Sequence, residues 1–368
     1  MAGRIVLFGA TGFTGELTAR ELAGRGDRPV LAGRDEARVR ALAAELGGLD
    51  WAVADVGRPE SVAALVGRGD VLVSTVGPFS RWGAPAVEAA LAAGAHYVDS
   101  AGESPFIRRV FETWGPRAVP AACTLLTAMG FDWVPGNLAG ALALREAGEA
   151  AVALEIGYFP TGAGLGPGGL SGGTRASTAG VALEPGFALR GGRMVAERGA
   201  RRVRAFSVGT RERKAFSAAG SEHFALPQSF PQLRDVDVYL GFLDRGAEAV
   251  RVASAATATL ARVPGVQALL TAGVGRVVKG STGGPDAAVR SRTGSHVVAE
   301  ARDADGDLVA RVALEGANIY DFTAAMLAWS AHAAAAGRLR VTGAAGPVAA
   351  FGLDALADGV RAAGLQRI

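Results

Sequence analysis

The opening segment from Arg4 to Gly26, "RIVLFGATGFTGELTARELAGRG", limits how this chain can fold more tightly than any other. Ile5-Val6-Leu7-Phe8 is a short, unbroken apolar run, as expected of a strand buried on both faces. Thr14 to Leu22 changes to helical spacing, with Leu17 and Leu22 on the apolar side and Glu16, Arg20 and Glu21 elsewhere. Gly9, Gly12 and Gly15 fall at the junction as G-x-x-G-x-x-G. One glycine suits the turn, one lets a ligand phosphate approach the backbone, and one lets helix and strand pack closely. Free amides at the helix start would then hold a pyrophosphate. The candidates for that grip are Gly9, Thr11, Gly12, Phe13, Thr14 and Gly15.

The next apolar run, Pro29 to Ala32, ends at Gly33-Arg34. Dinucleotide units that take NAD usually carry an acid there, bonded to the ribose 2′-hydroxyl. Here a guanidinium stands at that corner, and Arg34, helped by Arg38, suits the 2′-phosphate of NADP. Asp35 next door keeps NAD open. The alternation continues with expected strands at Trp51–Val56, Val71–Phe79, His96–Glu103 and Cys123–Asp132, separated by amphipathic stretches. That order predicts a doubly wound parallel sheet, the Rossmann arrangement, with ligands beyond the carboxyl ends of the strands. Asp55 is placed to meet the adenine amino group, and Thr75, Val76, Gly77 and Pro78 to line the cofactor end.

At 368 residues the chain is too long for one such unit and predicts two domains. The hydrophobic content of 49% is enough for two cores, yet no apolar span is long enough for a membrane helix. The first residues read as a domain strand, not a signal peptide. A single cysteine, Cys123, excludes an internal disulfide or a multi-cysteine metal site, and the four histidines lack paired metal-ligand spacing. No metal is expected. The net charge of +3 gives no argument for nucleic acid. The basic stretch Arg190 to Lys214 reads as a solvated face or strand edge, with an anionic carrier as the alternative.

After about residue 137 the alternation stops. A glycine-rich loop spans Gly164 to Ser177, and β-like runs recur in "RRVRAFSVG", "VDVYLGFL", "SHVVAEARD" and "DLVARVALEG". Asp305-Gly306 is a favoured tight-turn pair between two strands. A second, mixed α+β domain with a largely antiparallel sheet fits this pattern. "DFTAAMLAWSAHAAAAG" and "AAFGLDALADGVRAAG" are expected helices that return to the first domain.

Together, "GATGFTGELTARELA", "LAGRDEARVRALAAELG", "VSTVGPFSRWGAPAVEAALAAGAHYVDSAGE", "GFDWVPGNLAG" and "SGGTRAS" resemble segments of the saccharopine dehydrogenase-like oxidoreductases. That group includes saccharopine reductases and the mycobacterial trans-acting enoyl reductases. The resemblance implies an NADP-binding domain at 1–136, a substrate or lid domain at 137–320, and C-terminal helices at 321–368 packing back on the first domain. "GFDWVPGNL" looks like the family's Gly-Leu-Asp-Pro-Gly segment, with Trp133 and Val134 intervening before Pro135. Ser171, Gly172, Gly173 and Thr174 look like its glycine-rich substrate loop. Phe79, Trp82 and Trp133 suggest a partly aromatic pocket, in place of the polar grip an amino-acid substrate needs.

The implied activity is NADPH-dependent reduction of an enoyl or related apolar substrate, small or carrier-linked. Opine- or imine-type C–N reduction is the alternative enzyme reading, and a non-catalytic NADP-binding sensor or scaffold the non-enzymatic one. Candidate proton-handling residues are Asp99, Glu103 and Asp132 at the carboxyl edge, Tyr320 beside Asp321, and His223 in an expected loop. Asp99 and Asp132 fit helix caps equally well, and Glu103 fits an ordinary surface acid. The expected setting is a bacterial cytoplasm, with an acyl-type or small-molecule substrate, no nucleic acid, and a homodimer as the open oligomeric alternative.

Overall fold

The computed structural model describes residues 3–162, 185–243, 246–260 and 283–368. The first sheet holds seven strands in the order β15-β6-β5-β4-β1-β2-β3, and every neighbouring pair is parallel. Its members are β1 (Ile5–Phe8), β2 (Val30–Gly33), β3 (Trp51–Val53), β4 (Val71–Ser74), β5 (His96–Asp99), β6 (Thr124–Leu126) and β15 (Gly343–Ala344). Period-two alternation sends Ile5 and Leu7 into one core and Val6 and Phe8 into the other, which is why β1 is apolar throughout. Most strands are shorter than the apolar runs suggested. The residues beyond Ser74, Asp99 and Leu126 leave the sheet and form the connections at its carboxyl edge.

Among the described residues the second sheet has nine strands and is largely antiparallel. Its main path is β10 (Val203–Val208), β11 (Arg211–Ala218), β12 (Asp235–Leu240), β7 (Ala153–Gly162), β13 (Thr293–Arg302), β14 (Leu308–Gly316) and β16 (Leu365–Arg367). β8 (Pro185–Arg190) pairs with β12 and with β9 (Arg193–Arg198). Among the described strands of this sheet only β7 and β12 run parallel, in register from Ala153↔Asp235 to Tyr158↔Leu240. β13 and β14 form the expected hairpin. Asp303 Oδ1 accepts from the Asp305 and Asp307 amides at 3.0 and 2.9 Å, and Gly306 takes φ +88°.

The basic stretch is not a free cationic surface. It runs from the end of β8 through β9 and β10 into β11, and several of its arginines meet acids of the same sheet. Arg202 bonds Glu197 and Asp237 at 2.6 and 2.5 Å, Arg190 bonds Asp237 at 2.5 Å, and Arg204 bonds Glu155 and Glu300 at 2.5 Å each. Apart from Glu197, which lies within the stretch, these acids come from distant parts of the sequence, beyond a local reading of charge.

The C-terminal segment ties the two sheets together. Helix Ile319–Ala335 packs on helix Phe13–Gly24, with His332 Nδ1 2.9 Å from Asp27 Oδ1 and the Gly3 amide 3.1 Å from the Ala335 carbonyl. β15 then completes the first sheet, whereas β16 crosses back to pair with β14. The last expected helix is two, Pro347–Phe351 and Leu353–Ala362, because Gly352 adopts φ +84° between them. Among the described residues no helix is long and apolar enough to cross a membrane, and no group of three His, Cys, Asp or Glu could hold a metal.

Candidate active site

The three glycines of the first turn do three different jobs. Gly9 sits at φ +91°, where a Cβ would also lie 2.7 Å from Thr75 Oγ1. At Gly15 a Cβ would lie 2.1 Å from the Gly9 carbonyl oxygen, so bare glycine is what lets the helix rest on the strand. Gly12 differs: its Cβ would meet only the Gly9 oxygen, at 3.3 Å. Gly12 is also the N-cap of helix Phe13–Gly24 and offers no side chain to the first-turn amides. Open space in front of unclaimed helix amides is what a pyrophosphate needs. Thr11, Phe13 and Thr14 lie in the same turn, partly exposed.

At the end of β2, Arg34 is exposed immediately after Gly33. Asp35 is the N-cap of the next helix, and its carboxylate accepts from the Arg38 amide at 3.1 Å. The Arg38 guanidinium reaches the Thr11 carbonyl at 2.7 Å, beside the glycine turn. Asp35 is thus occupied with the helix while Arg34 and Arg38 flank the corner where a 2′-phosphate would sit. Asp55 lies past β3 in a tight turn, with Oδ1 accepting from the Gly57 amide at 2.8 Å. Thr75 follows β4, and its hydroxyl lies 3.2 and 3.1 Å from the Phe8 and Gly9 carbonyls, bracing the turn. Val76, Gly77 and Pro78 continue from it along the edge. These residues fit a dinucleotide with a 2′-phosphate.

The three connections after β4, β5 and β6 meet at the carboxyl edge, as the parallel topology requires. Glu103, the N-cap of helix Ser104–Arg109, accepts from the Phe79 amide at 2.8 Å. Asp99 is fully buried, and its Oδ1 accepts from the Ala101 and Ala128 amides, both at 2.8 Å, and from Thr127 Oγ1 at 3.0 Å. That carboxylate welds the β5 connection to the β6 connection. Burial pushes its pKa up to about 6, against the hydrogen bonds that favour the ionised form. Phe79 packs on Phe106 with ring centroids 5.5 Å apart in the first domain's core, so the expected pocket residue is a core residue here. Trp82 is partly exposed under the Arg81 guanidinium, 4.4 Å away.

The second domain reaches this edge through the turn after β11. Ser104 Oγ donates to the Ala219 carbonyl at 2.8 Å, and Gly220 faces the Trp133 ring. Helix Glu222–Ser229 begins there, which corrects the expectation that His223 lies in a loop. His223 is buried, its Nδ1 3.0 Å from the Gly220 carbonyl, and burial lowers its pKa to about 4. The imidazole is therefore neutral at pH 7 and carries no acidic proton for a substrate.

The structure adds two residues that the sequence reading did not single out, Tyr158 and Glu222. Tyr158 Oη lies 2.6 Å from Glu222 Oε1, 2.8 Å from the Gly136 amide and 2.9 Å from the Trp133 carbonyl. All four groups are buried. A Cβ at Gly136 would lie 2.2 Å from the Tyr158 hydroxyl, so the glycine of the Pro135-Gly136 pair makes this cluster possible. Burial raises the Glu222 pKa to about 8 and that of half-buried Asp132 to about 6. Trp133 itself is 2% exposed, edge-on to Tyr158 at 5.5 Å, with Nε1 lacking a partner among the described residues. A single glutamate beside a histidine gives no sequence signal, because the partner lies 64 residues away.

Tyr320 lies at the start of helix Ile319–Ala335, its ring edge-on to Phe13 at 5.3 Å. One turn on, Thr323 Oγ1 accepts from the Phe131 amide at 3.0 Å. That first turn thus spans from the glycine turn to the Asp132 connection. Gly284 packs against the Phe13 ring from the second domain, with the Arg290 guanidinium 5.9 Å above it. Ser171, Gly172, Gly173 and Thr174 lie outside the described residues.

Comparison with known proteins agrees with this geometry. Residues 5–120 match the saccharopine dehydrogenase NADP binding domain. A trans-acting enoyl reductase of Mycobacterium bovis is 40% identical over 140 residues, covering 36% of this chain and 34% of the relative. One from Mycobacterium ulcerans is 41% identical over the same shares. The match thus spans about a third of the length of these curated relatives. Apo saccharopine dehydrogenase (L-Glu forming) from Saccharomyces cerevisiae superposes with a TM-score of 0.62 at 13% identity, covering 100% of this chain and 99% of that one. At that identity the likeness concerns the fold. Residues 5–120 thus match a saccharopine dehydrogenase NADP binding domain, and the whole chain shares the fold of saccharopine dehydrogenase.

Proposed function

We propose that the chain is an NADPH-dependent reductase that transfers hydride to an enoyl or related apolar substrate, free or carrier-linked. The observation that carries this reading is the family match at 5–120 lying on a complete cofactor cradle. There Gly12 faces open space and Arg34 stands at the ribose corner. The relatives named trans-acting enoyl reductases support the substrate class.

When bound, NADPH supplies the hydride. The chain's own part is to hold the dinucleotide, exclude water and supply a proton. The helix amides behind Gly12 hold the pyrophosphate, and Arg34 and Arg38 the 2′-phosphate. Asp132, half-buried on the connection that follows β6, supplies the proton with its raised pKa of about 6. Asp99 and Glu103 hold the connections in place through the amides they accept from. A cytoplasmic setting and a homodimer remain part of this proposal.

The test is NADPH consumption with matched enoyl thioesters, imines and ketones. Turnover with the enoyl thioesters is expected. Turnover with imines alone would replace the reading by C–N reduction. A stoichiometric NADPH fluorescence change with no turnover on any of the three classes would make the protein a cofactor-binding module.

A further inference from the structure

Phe13 is the first residue of the helix whose amides face the pyrophosphate site, and its own helix does little to hold it. First-turn amides have no intrahelical carbonyl to bond, and Gly12, the N-cap, brings no side chain to them. A helical side chain leans toward the helix N-terminus, so the Phe13 ring stands at the amide end. What holds the ring comes from far along the chain. Tyr320 meets it edge-on with centroids 5.3 Å apart, and the Arg290 guanidinium lies 5.9 Å from its centroid, within cation–π range. Gly284 closes a third side: a Cβ there would lie 2.4 Å from Phe13 Cε1 and 2.5 Å from both Cδ1 and Cζ.

Space, not backbone conformation, calls for glycine at 284. Its neighbour Gly283 takes φ +75° with nothing within 4 Å, whereas Gly284 lies outside the left-handed region and is crowded by the ring. The segment that carries Gly284 is fastened at several points. Arg290 Nη1 donates back to the Pro285 carbonyl at 3.0 Å, and Nε donates to Asp321 Oδ1 at 2.7 Å. Pro285 is buried, and Asp286 caps the turn Ala287–Arg290 by accepting from the Val289 amide at 2.8 Å. Asn318 joins the two flanks. Its Nδ2 donates to Thr293 Oγ1, and its Oδ1 accepts from the Tyr320 amide at 2.8 Å. The segment before β13 and the start of helix Ile319–Ala335 thus form one frame around Phe13, with Arg290 at its corner.

We propose that Phe13 is the joint through which the second domain sets cofactor affinity, with Gly284 and Arg290 as positioning residues for the dinucleotide, an assignment that rests on the cofactor cradle above and on no feature of the substrate. Neither residue needs to touch NADPH. By holding the ring they fix the direction of the Phe13 and Thr14 amides, so the turn loses less freedom when the pyrophosphate binds. Linkage makes the effect reciprocal. A cofactor that binds best to the gripped turn must strengthen the grip, so NADPH tightens the Gly284–Arg290 segment against the first domain.

Two measurements test this, and neither needs turnover. The first is fluorescence titration of NADPH. In Gly284→Ala the methyl group displaces the ring, and NADPH should bind about tenfold more weakly. Phe13→Leu leaves room for that methyl, so the double variant should bind within about threefold of Phe13→Leu alone. General damage to the fold would instead add to the effect of Phe13→Leu. The second is hydrogen–deuterium exchange. Saturating NADPH should slow the amides of residues 286–292 in the wild-type protein at least about threefold. In Phe13→Ala at saturating NADPH the slowing should vanish, because the segment has no ring to close on. Additive losses in the double variant, or unchanged exchange at 286–292 in the wild type, overturn the proposal. Slowing that persists in Phe13→Ala means direct contact with the dinucleotide and also overturns it. Should Gly284→Ala fail to fold, the exchange measurement decides alone. Wild-type protein that binds no NADPH would remove the cradle itself, and the joint with it.

Discussion

The three glycines of the first turn should respond differently to a single added carbon. In Gly12→Ala the new Cβ meets only the Gly9 carbonyl oxygen at 3.3 Å, and φ of −80° suits alanine. The cost to folding should be that of a poor N-cap, about 1 kcal/mol. The same methyl occupies the approach to the helix amides. Pushing a pyrophosphate off two of them forfeits two hydrogen bonds to a charged group, each worth about 1.5–3 kcal/mol, so NADPH should bind at least about a hundredfold more weakly. In Gly15→Ala the Cβ would lie 2.1 Å from the Gly9 oxygen and 2.9 Å from both Gly9 C and Thr75 Oγ1. Two of those atoms are backbone and cannot swing away, so the helix must lift from the strand at a cost of roughly 1–3 kcal/mol or more. Fluorescence titration of NADPH, paired with thermal melts of both variants, reads the two effects separately. A well-folded Gly12→Ala protein that binds NADPH within about threefold of wild type would refute the argument, since the turn would then serve only the fold.

Other substitutions test the remaining parts of the site. Arg34→Ala should reduce the preference for NADPH over NADH by roughly tenfold or more, read by titrating both cofactors; equal wild-type affinities would remove Arg34 from the 2′-phosphate. Asp99→Ala leaves two buried amides and a threonine hydroxyl without their acceptor, and should lower stability by about 3 kcal/mol or more in urea unfolding. A loss under about 1 kcal/mol would mean that Asp99 does not weld the two connections. Stability should also follow the Glu222 proton. The folded state keeps that proton up to about pH 8 and the unfolded chain only to about 4.5, so folding binds protons in between and stability falls as pH rises through that interval. His223, held at about 4, acts in the opposite sense but only below its unfolded value of 6.5. Between pH 6.5 and 8 the wild-type protein should therefore lose on the order of 2 kcal/mol, and Glu222→Gln should show a flatter melting profile.

Much of the first domain was legible because its signals are local. An apolar run followed by a glycine turn and a helical pattern occupies about twenty neighbouring residues, and hydrogen bonding and burial leave such a segment few alternatives. The same locality made Arg34 stand out, because the acid-bearing corner of a dinucleotide unit is defined by its distance from the end of β2. Strand ends were less legible. Apolar character runs on through Val76, Ala101 and Ala128, but the backbone leaves the sheet at Ser74, Asp99 and Leu126, where loops begin to bond to one another.

What the sequence determined by itself was therefore the order of strands and helices, the parallel first sheet and the cofactor turn, all of which follow from periodicity and glycine placement. Tertiary structure decided everything that depends on distant partners. It turned the basic stretch into paired strands, because Asp237, Glu155 and Glu300 arrive from other parts of the second sheet. It made Phe79 a core residue and His223 a neutral helical one. It also brought Tyr158, Glu222 and the Trp133–Gly136 turn to one point. No local pattern can announce a buried carboxyl, since its proton is fixed by groups that only folding brings within hydrogen-bond reach.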